Sequence, residues 1–428
     1  MKKRLASKAE RNRDEAQVQY KRADSLFMLT KAQELSTKSE QEDDDAQLAG
    51  LLSMQSFHIH RRYSGRKYDS YIYRGLYSSL TKLIDKTYNE IKVEGVPRNK
   101  MASIAVSARG SNFYAAGSDG RIFQGNINQP LAKATSYTNA YPLKVIAMSS
   151  DEKYLVAGSD SSFVLVYDIA SGAVKPKIIR GFAGPTNQIK FLPGNGTFLV
   201  SSGATGKSSY SLASVNASTG EVQNLLDTPF EIKTLAVSPD GKQVAAGTWG
   251  GKVVLIDLAS KAITNLADEA GSRILTVKFS PNGKSLAFGT DDIANKRGVV
   301  KLINLANKAV RQFTGHRAGV YDVEFSPDGQ LLASAGSDRR LQLWVLSNPG
   351  DLPIVMDNNS GFVWDIAFAS GSNYLVAACS DSEIRVWPTD PSILASQICP
   401  HVTRNMSEDE WGKYVGSGIP YEFTCPRA

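Results

Sequence analysis

Four sets of residues in this 428-residue chain are of the types that do chemistry. The first is Gly203-Ala204-Thr205-Gly206-Lys207-Ser208, which ends like a phosphate-binding loop. Such a loop needs a glycine five positions before Gly206, where Ser201 stands, and a helix after it, whereas Tyr210 to Val215 reads as a strand. The stretch is expected to be a wide hairpin turn with no bound nucleotide. The second set is the histidines. His58 and His60 lie two apart on an expected helix and so face different ways, which makes them a poor metal pair. Only His316 and His401 remain, and no metal site is expected. The third set is Cys379, Cys399 and Cys425, an odd number with no C-x-x-C spacing, which argues against a disulfide framework and against zinc. Cys379 falls in a turn and reads as a small turn residue, not an activated nucleophile. The fourth is the basic cluster Lys2, Lys3, Arg4, Lys8, Arg11 and Arg13, which could meet phosphates. Acidic residues are interspersed with it, so a solvated helix face is expected and no nucleic-acid partner. No cofactor is implied.

The elements that would position these residues are numerous and short. The composition, 42% apolar, 21% charged and 35 glycines, is that of a globular protein with many turns. No run approaches the roughly 18 to 20 apolar residues of a membrane-spanning helix. The first eight residues are basic, but Glu10, Arg11, Arg13, Asp14 and Glu15 follow where a signal peptide would be apolar. Together with the cysteine count this leads to the expectation of a cytoplasmic protein. About +6 of the formal charge of +7 falls in the first hundred residues, so the remainder is nearly neutral.

That remainder repeats. Gly117, Gly158, Gly203, Gly247, Gly289, Gly336 and Cys379 recur at intervals of 41, 45, 44, 42, 47 and 43, the length of one four-stranded propeller blade. Within a unit, Val323-Glu324-Phe325, Leu331 to Ala335 and Leu341 to Trp344 read as successive strands. Ser-Pro-Asp-Gly at 238 to 241 and 326 to 329, and Ser-Pro-Asn-Gly at 280 to 283, turn the first hairpin: proline pre-sets φ, and glycine accepts the left-handed position.

Residues 99 to 390 resemble the WD40 repeat family. In the sixth unit His316, Ser334, Asp338 and Trp344 match the family's structural hydrogen-bond tetrad, whereas the others depart from it: Trp387 is kept in the seventh, and Tyr167-Asp168 and Ile256-Asp257 are weakened signatures. The resemblance implies an all-β, seven-bladed WD40 propeller over 89–390, with an α-helical N-terminal segment (1–88) and a short helical C-terminal tail (391–428) packing on the propeller. An unclosed ring leaves an open sheet edge. The outer strand of the seventh blade is therefore expected from about Asn89 to Val96. Partners of WD40 propellers commonly touch the channel mouth at the entry of the innermost strands, which here selects Ala102, Lys144, Asn187, Lys233, Leu275, Tyr321 and Trp364. The turns between second and third strands add Trp249 and Arg339. The candidate rim is thus Lys144, Asn187, Lys233, Trp249, Tyr321, Arg339 and Trp364, a mixture of aromatic and cationic groups enriched at interaction hot spots. The seven-position ring holds no carboxylate or histidine, so a propeller enzyme is the least favoured reading.

The flanks read as helices. Leu5, Ala9, Ala16, Ala23, Leu26, Phe27 and Leu35 outline one long, weakly apolar helix over Leu5 to about Ser39. The acidic break from Glu40 to Asp45 precedes a second helix with Leu48, Leu51, Leu52 and Phe57, and a third follows through Ile72, Leu76, Leu80 and Ile84. These flanks resemble the region joining the ATPase to the WD40 propeller of bacterial STAND (NACHT-like) signalling ATPases, on Ala32-Gln33-Glu34-Leu35-Ser36, Gln47 to Leu52 and Tyr71 to Tyr77. The tail resembles the same family's ending, on Thr403 to Trp411, Tyr414 and Tyr421 to Pro426. The resemblance implies the ligand-sensing or scaffold part of a signalling protein, with a protein or peptide partner and an ATPase upstream. The alternative is a free-standing scaffold that offers its N-terminal helix to a helical partner.

Overall fold

The computed structural model describes residues 2–85, 89–92, 100–107, 111–128, 135–173, 175–194, 196–203, 210–348 and 350–425. The loop-like stretch 204–209 and the expected strand residues 93–96 lie outside them. The chain divides into two compact units, Asn89–Thr389, and Met1–Tyr88 together with Asp390–Ala428.

The larger unit is seven antiparallel four-stranded sheets. Six are built from consecutive strands; the seventh takes its outermost strand, Glu90–Lys92, from the other end of the unit, in the register Glu90 to Arg385, Ile91 to Ile384 and Lys92 to Glu383. This is the closure expected from the open-edge argument. The middle strands of each blade have both faces covered, which is why Leu155–Ala157 and Val164–Tyr167 are unbroken apolar runs and not alternating ones. Apolar layers form where adjacent sheets face each other, as where Val156 and Val166 meet Val200 and Val215. The Ser-Pro-Asp-Gly turn is a self-contained unit. Ser238 Oγ donates to Asp240 Oδ1 (2.6 Å) and accepts from the Gln243 amide (2.9 Å), and Gly241 takes φ 72°. The same arrangement recurs at Ser280 and Ser326.

In the smaller unit α1 (Lys2–Gln41), α2 (Ala46–Arg62) and α3 (Ser70–Ile84) follow the expected order. Asp45 and Asp69 cap α2 and α3 by accepting from the amides of Leu48 (2.9 Å) and Tyr71 (2.9 Å). The buried stripe of α1 is Met28, Ala32, Leu35 and Ser39, a 4-3-4 spacing on one helix face. Leu26 and Phe27, expected in the apolar stripe, point elsewhere and are 66% and 62% exposed.

The C-terminal segment, with α4 (Pro391–Ile398) and α5 (Glu408–Trp411), belongs to the same compact unit as these helices. Arg404 pairs with Glu410 (2.7 Å) and with Asp45 (2.8 Å), and Glu422 accepts from Arg62 (2.8 Å) and Gln55 (2.9 Å). Cys399 and Cys425 form a disulfide, against the expectation from their odd number and spacing that the cysteines build no disulfide framework. The pair is 26 residues apart, and only the path of the tail brings its Cα atoms to 5.5 Å, so spacing in the sequence carried no sign of it. The cysteine argument for a reducing compartment falls with it.

Ile91 is buried among Phe113, Val376 and Ile384. Ile91→Ala is expected to destabilise the propeller by about 2 to 4 kcal/mol, measured by urea unfolding, with Lys252→Ala, at an exposed strand position, as the control.

Candidate functional site

The seven ring residues share one backbone device. In every blade the innermost strand slips register by one residue against its neighbour, and the residue left over is Ala102, Lys144, Asn187, Lys233, Leu275, Tyr321 or Trp364. A β-bulge bends the strand and re-aims a side chain. Repeated seven times, it lets two successive residues of one strand line the channel, for example Tyr321 with Asp322 and Trp364 with Asp365 around a cavity of about 290 Å³.

On this mouth Tyr321 and Trp364 pack with ring centroids 4.4 Å apart, and the exposed Phe362 meets Trp364 edge-on at 6.1 Å. Trp249 lies between two cations, Lys233 Nζ at 5.1 Å and the Arg273 guanidinium at 4.6 Å from its ring centre. Arg273 is in turn held by Asp291 at 2.5 Å. Burial, and then the charge of Lys144, hold the Lys233 ammonium below its ordinary range. Lys144 is exposed and paired with Asp160. Asn187 is committed to the next blade, donating to Glu231 Oε1 (3.1 Å) and to the Ile232 carbonyl (3.2 Å). Arg339 is exposed at the tip of a turn, in the left-handed region at φ 64°.

The tetrad residues form one hydrogen-bonded chain. His316 meets Asp338 at 3.1 Å through Nδ1 and Ser334 Oγ at 2.8 Å through Nε2, and Trp344 Nε1 donates to Ser334 Oγ at 3.0 Å. Burial would raise Asp338, but His316 and the Arg317 and Arg340 amides outweigh it and hold the carboxyl low. This chain ties the entry loop of blade six to its second and third strands. In blade seven the same places hold Asn359, Ala377, Asp381 and Trp387, and the Asp381 oxygens are buried with no hydrogen-bond partner among the described residues. Cys379, expected in a turn, is the last residue of a strand and fully buried, and burial followed by the Asp381 charge raises its thiol above the usual range.

Sequence reasoning missed the layer directly behind the ring. Asp322 Oδ1 accepts from Thr276 Oγ1 (2.8 Å) in blade five and its Oδ2 from the Ile366 amide (3.1 Å) in blade seven. Asp365 Oδ2 accepts from Ser103 Oγ (2.6 Å) and the Ile104 amide (2.8 Å) in blade one, and Ser103 Oγ accepts from the Ile146 amide (3.2 Å) in blade two. A polar belt thus joins blades five, six, seven, one and two. The expectation that the channel lacks carboxylates holds for the ring position alone; its bulges turn the following residues inward as well. Asp322 and Asp365 immediately follow Tyr321 and Trp364, where the alternation of a regular strand would turn them away from the channel. Both carboxylates are used as braces between blades. Deeper still, Lys278 pairs with Glu324.

Seven sheets around a braced polar channel, one of them carrying the His-Ser-Asp-Trp chain, define a WD40-repeat β-propeller. The chain carries WD40 repeats: residues 222–257, 307–345 and 352–388 match the model of the WD domain, G-beta repeat. Each matched stretch opens with the outer strand of one blade and ends with the third strand of the next, so repeat and blade are offset by one strand. The chain is similar to an uncharacterised WD repeat-containing protein of Synechocystis sp., 29% identical over 172 residues, 40% of this chain and 48% of that protein. It is also similar to the protein HIR1 of Cryptococcus neoformans, 29% identical over 192 residues, 39% of this chain and 22% of HIR1. A WD repeat-containing protein of Schistosoma mansoni is 31% identical over 127 residues, 29% of this chain and 40% of that protein. The chain spans about half, or less, of the length of these relatives.

Burial, and then the neighbouring Asp365, hold the Asp322 carboxyl well above the ordinary carboxylate value of 3.8. The folded state therefore keeps a proton that the unfolded chain releases near 3.8. Its contribution is complete below that value and is lost as pH rises through the folded value. Asp322→Asn, which is neutral at every pH, is expected to flatten the decline of unfolding free energy above about pH 4, read from urea titrations at several pH values. An unchanged slope would remove Asp322 as its cause.

Proposed function

We propose that this chain is a non-catalytic interaction module that captures an acidic protein or peptide segment on the mouth formed by Lys144, Asn187, Lys233, Trp249, Tyr321, Arg339 and Trp364. One observation carries the reading: seven successive bulges turn one residue per blade toward the same mouth. Four of the seven so presented, Lys144, Lys233, Tyr321 and Trp364, are cations and aromatics, which anchor peptides through charge and stacking. Among the described residues Lys144 pairs with Asp160 alone, an exposed contact worth little in water, so an incoming carboxylate can compete for it. Trp249, flanked by Lys233 and Arg273, presents a rigid, positively charged surface to a partner.

An array of peptides of graded acidity, probed with the whole chain, tests this. Acidic peptides are expected to bind best, with Lys233→Glu weakening them about tenfold or more and Lys242→Glu, in a first-hairpin turn, leaving them unchanged. Equal binding by the Lys233→Glu chain would reject the rim as the site.

Within this reading the propeller serves as the ligand-sensing or scaffold part of a signalling protein, with an ATPase upstream as the STAND-like flanks imply. Support comes from the matching stretches of both flanks, far apart in sequence, folding as one unit held by the Arg404 pairs and the Cys399–Cys425 bond. Immunodetection of the native protein in its source cell decides between this and a free-standing scaffold. A mass well above 46.4 kDa is expected, and a mass equal to it would favour the scaffold.

A further inference from the structure

The innermost strands also end at a second mouth, on the opposite side from the rim. Seven equivalent residues, one before the strand ends, encircle the channel there: Ala105, Ala147, Lys190, Ala236, Lys278, Glu324 and Ala367. Their charges do not balance. Lys278 and Glu324 pair with each other, whereas Lys190 has no hydrogen-bond or ion-pair partner among the described residues. The alanines at 105, 147 and 236 leave the space beside Lys190 unfilled.

Lys190 lines both the channel cavity and a groove of about 500 Å³ at this mouth. That volume lies in the range of small-molecule sites. Val106, Met148, Phe191, Leu192 and Val237 form the apolar part of the groove lining, and Ser149, Ser150 and Ser238 form its polar edge. The hydroxyls at its edge are already committed: Ser149 Oγ to Asp151 (2.6 Å) and the Tyr154 amide (2.9 Å), Ser238 Oγ to Asp240 (2.6 Å) and the Gln243 amide (2.9 Å). They leave little for a ligand that brings its own string of amides, which argues against a peptide here. The carboxylates of Asp365, Asp322 and Glu324 favour the Lys190 ammonium through space without pairing with it directly, so a ligand carboxylate in contact with it would offset its desolvation further.

We propose that this mouth binds a small apolar monocarboxylate, its carboxylate on the Lys190 ammonium and its hydrocarbon part along Met148, Phe191 and Val237. The geometry sets a single anionic group at the deep end of an apolar slot, so chain length and charge are both read. Burial, and then the charge of Lys278, hold the free Lys190 ammonium below its ordinary range. A bound carboxylate raises it again, so proton uptake accompanies binding at pH values between those of the free and the bound group.

The test is calorimetric titration of the whole chain with octanoate and with octanol, in two buffers of different ionisation enthalpy. Octanoate is expected to bind at least about tenfold more tightly than octanol, as a charged partner for a buried ammonium requires, and to take up protons as it does. Lys190→Met is expected to abolish that difference. Met148→Trp, which fills the groove and leaves Lys190 in place, is expected to weaken both ligands and guards against a Lys190 variant that fails to fold. Octanoate binding no tighter than octanol, or binding indifferent to both substitutions, would overturn the proposal. So would a peptide with a free C-terminus that binds where octanoate does not.

Discussion

Everything in the larger unit rests on closing the ring. A sheet with an unpaired edge exposes a row of backbone donors and acceptors, and a circle of sheets has such an edge wherever its first and last blades meet. Here three residues, Glu90–Lys92, complete blade seven against Glu383–Arg385. The same seam is braced from inside, because Asp365 of blade seven holds Ser103 and the Ile104 amide of blade one. Backbone pairing on the outside and a buried carboxylate on the inside secure one joint.

The bulge links this architecture to the channel. An unbulged strand would show the channel every second residue, and the next one would face the neighbouring blade. With one residue inserted, Tyr321 and Trp364 reach the mouth while Asp322 and Asp365 remain free to brace adjacent blades. Presentation and bracing come from adjacent residues of the same strand, so changes at the rim need not disturb the joint.

Much of this was legible from residue spacing. The glycine period located the blades, the Ser-Pro-Asp-Gly turns marked the first hairpins, and the unfilled edge pointed to the segment around Glu90 as the missing strand. His316, Ser334, Asp338 and Trp344 were recognisable because a side-chain network fixes both residue type and distance along the chain. The channel carboxylates were not, because alternation in a regular strand turns the residue after the ring position away from the channel, and a bulge leaves no mark in composition. The Cys399–Cys425 bond and the Arg404 pairs were equally invisible. They depend on how the last residues wrap around α1 to α3, a path with no periodicity to read.

The order in which the chain is made gives the closing strand a further meaning. Glu90–Lys92 leaves the ribosome long before Glu383–Arg385, so until blade seven has emerged both edges of the growing array stay open. The last pairing joins segments almost three hundred residues apart, a contact whose loop-closure entropy makes it slow. Exposed edges during that wait invite pairing with other chains. With a charged residue at both Glu90 and Lys92, the closing segment is a poor template for such mispairing, so the residues that complete the finished ring also protect the unfinished one.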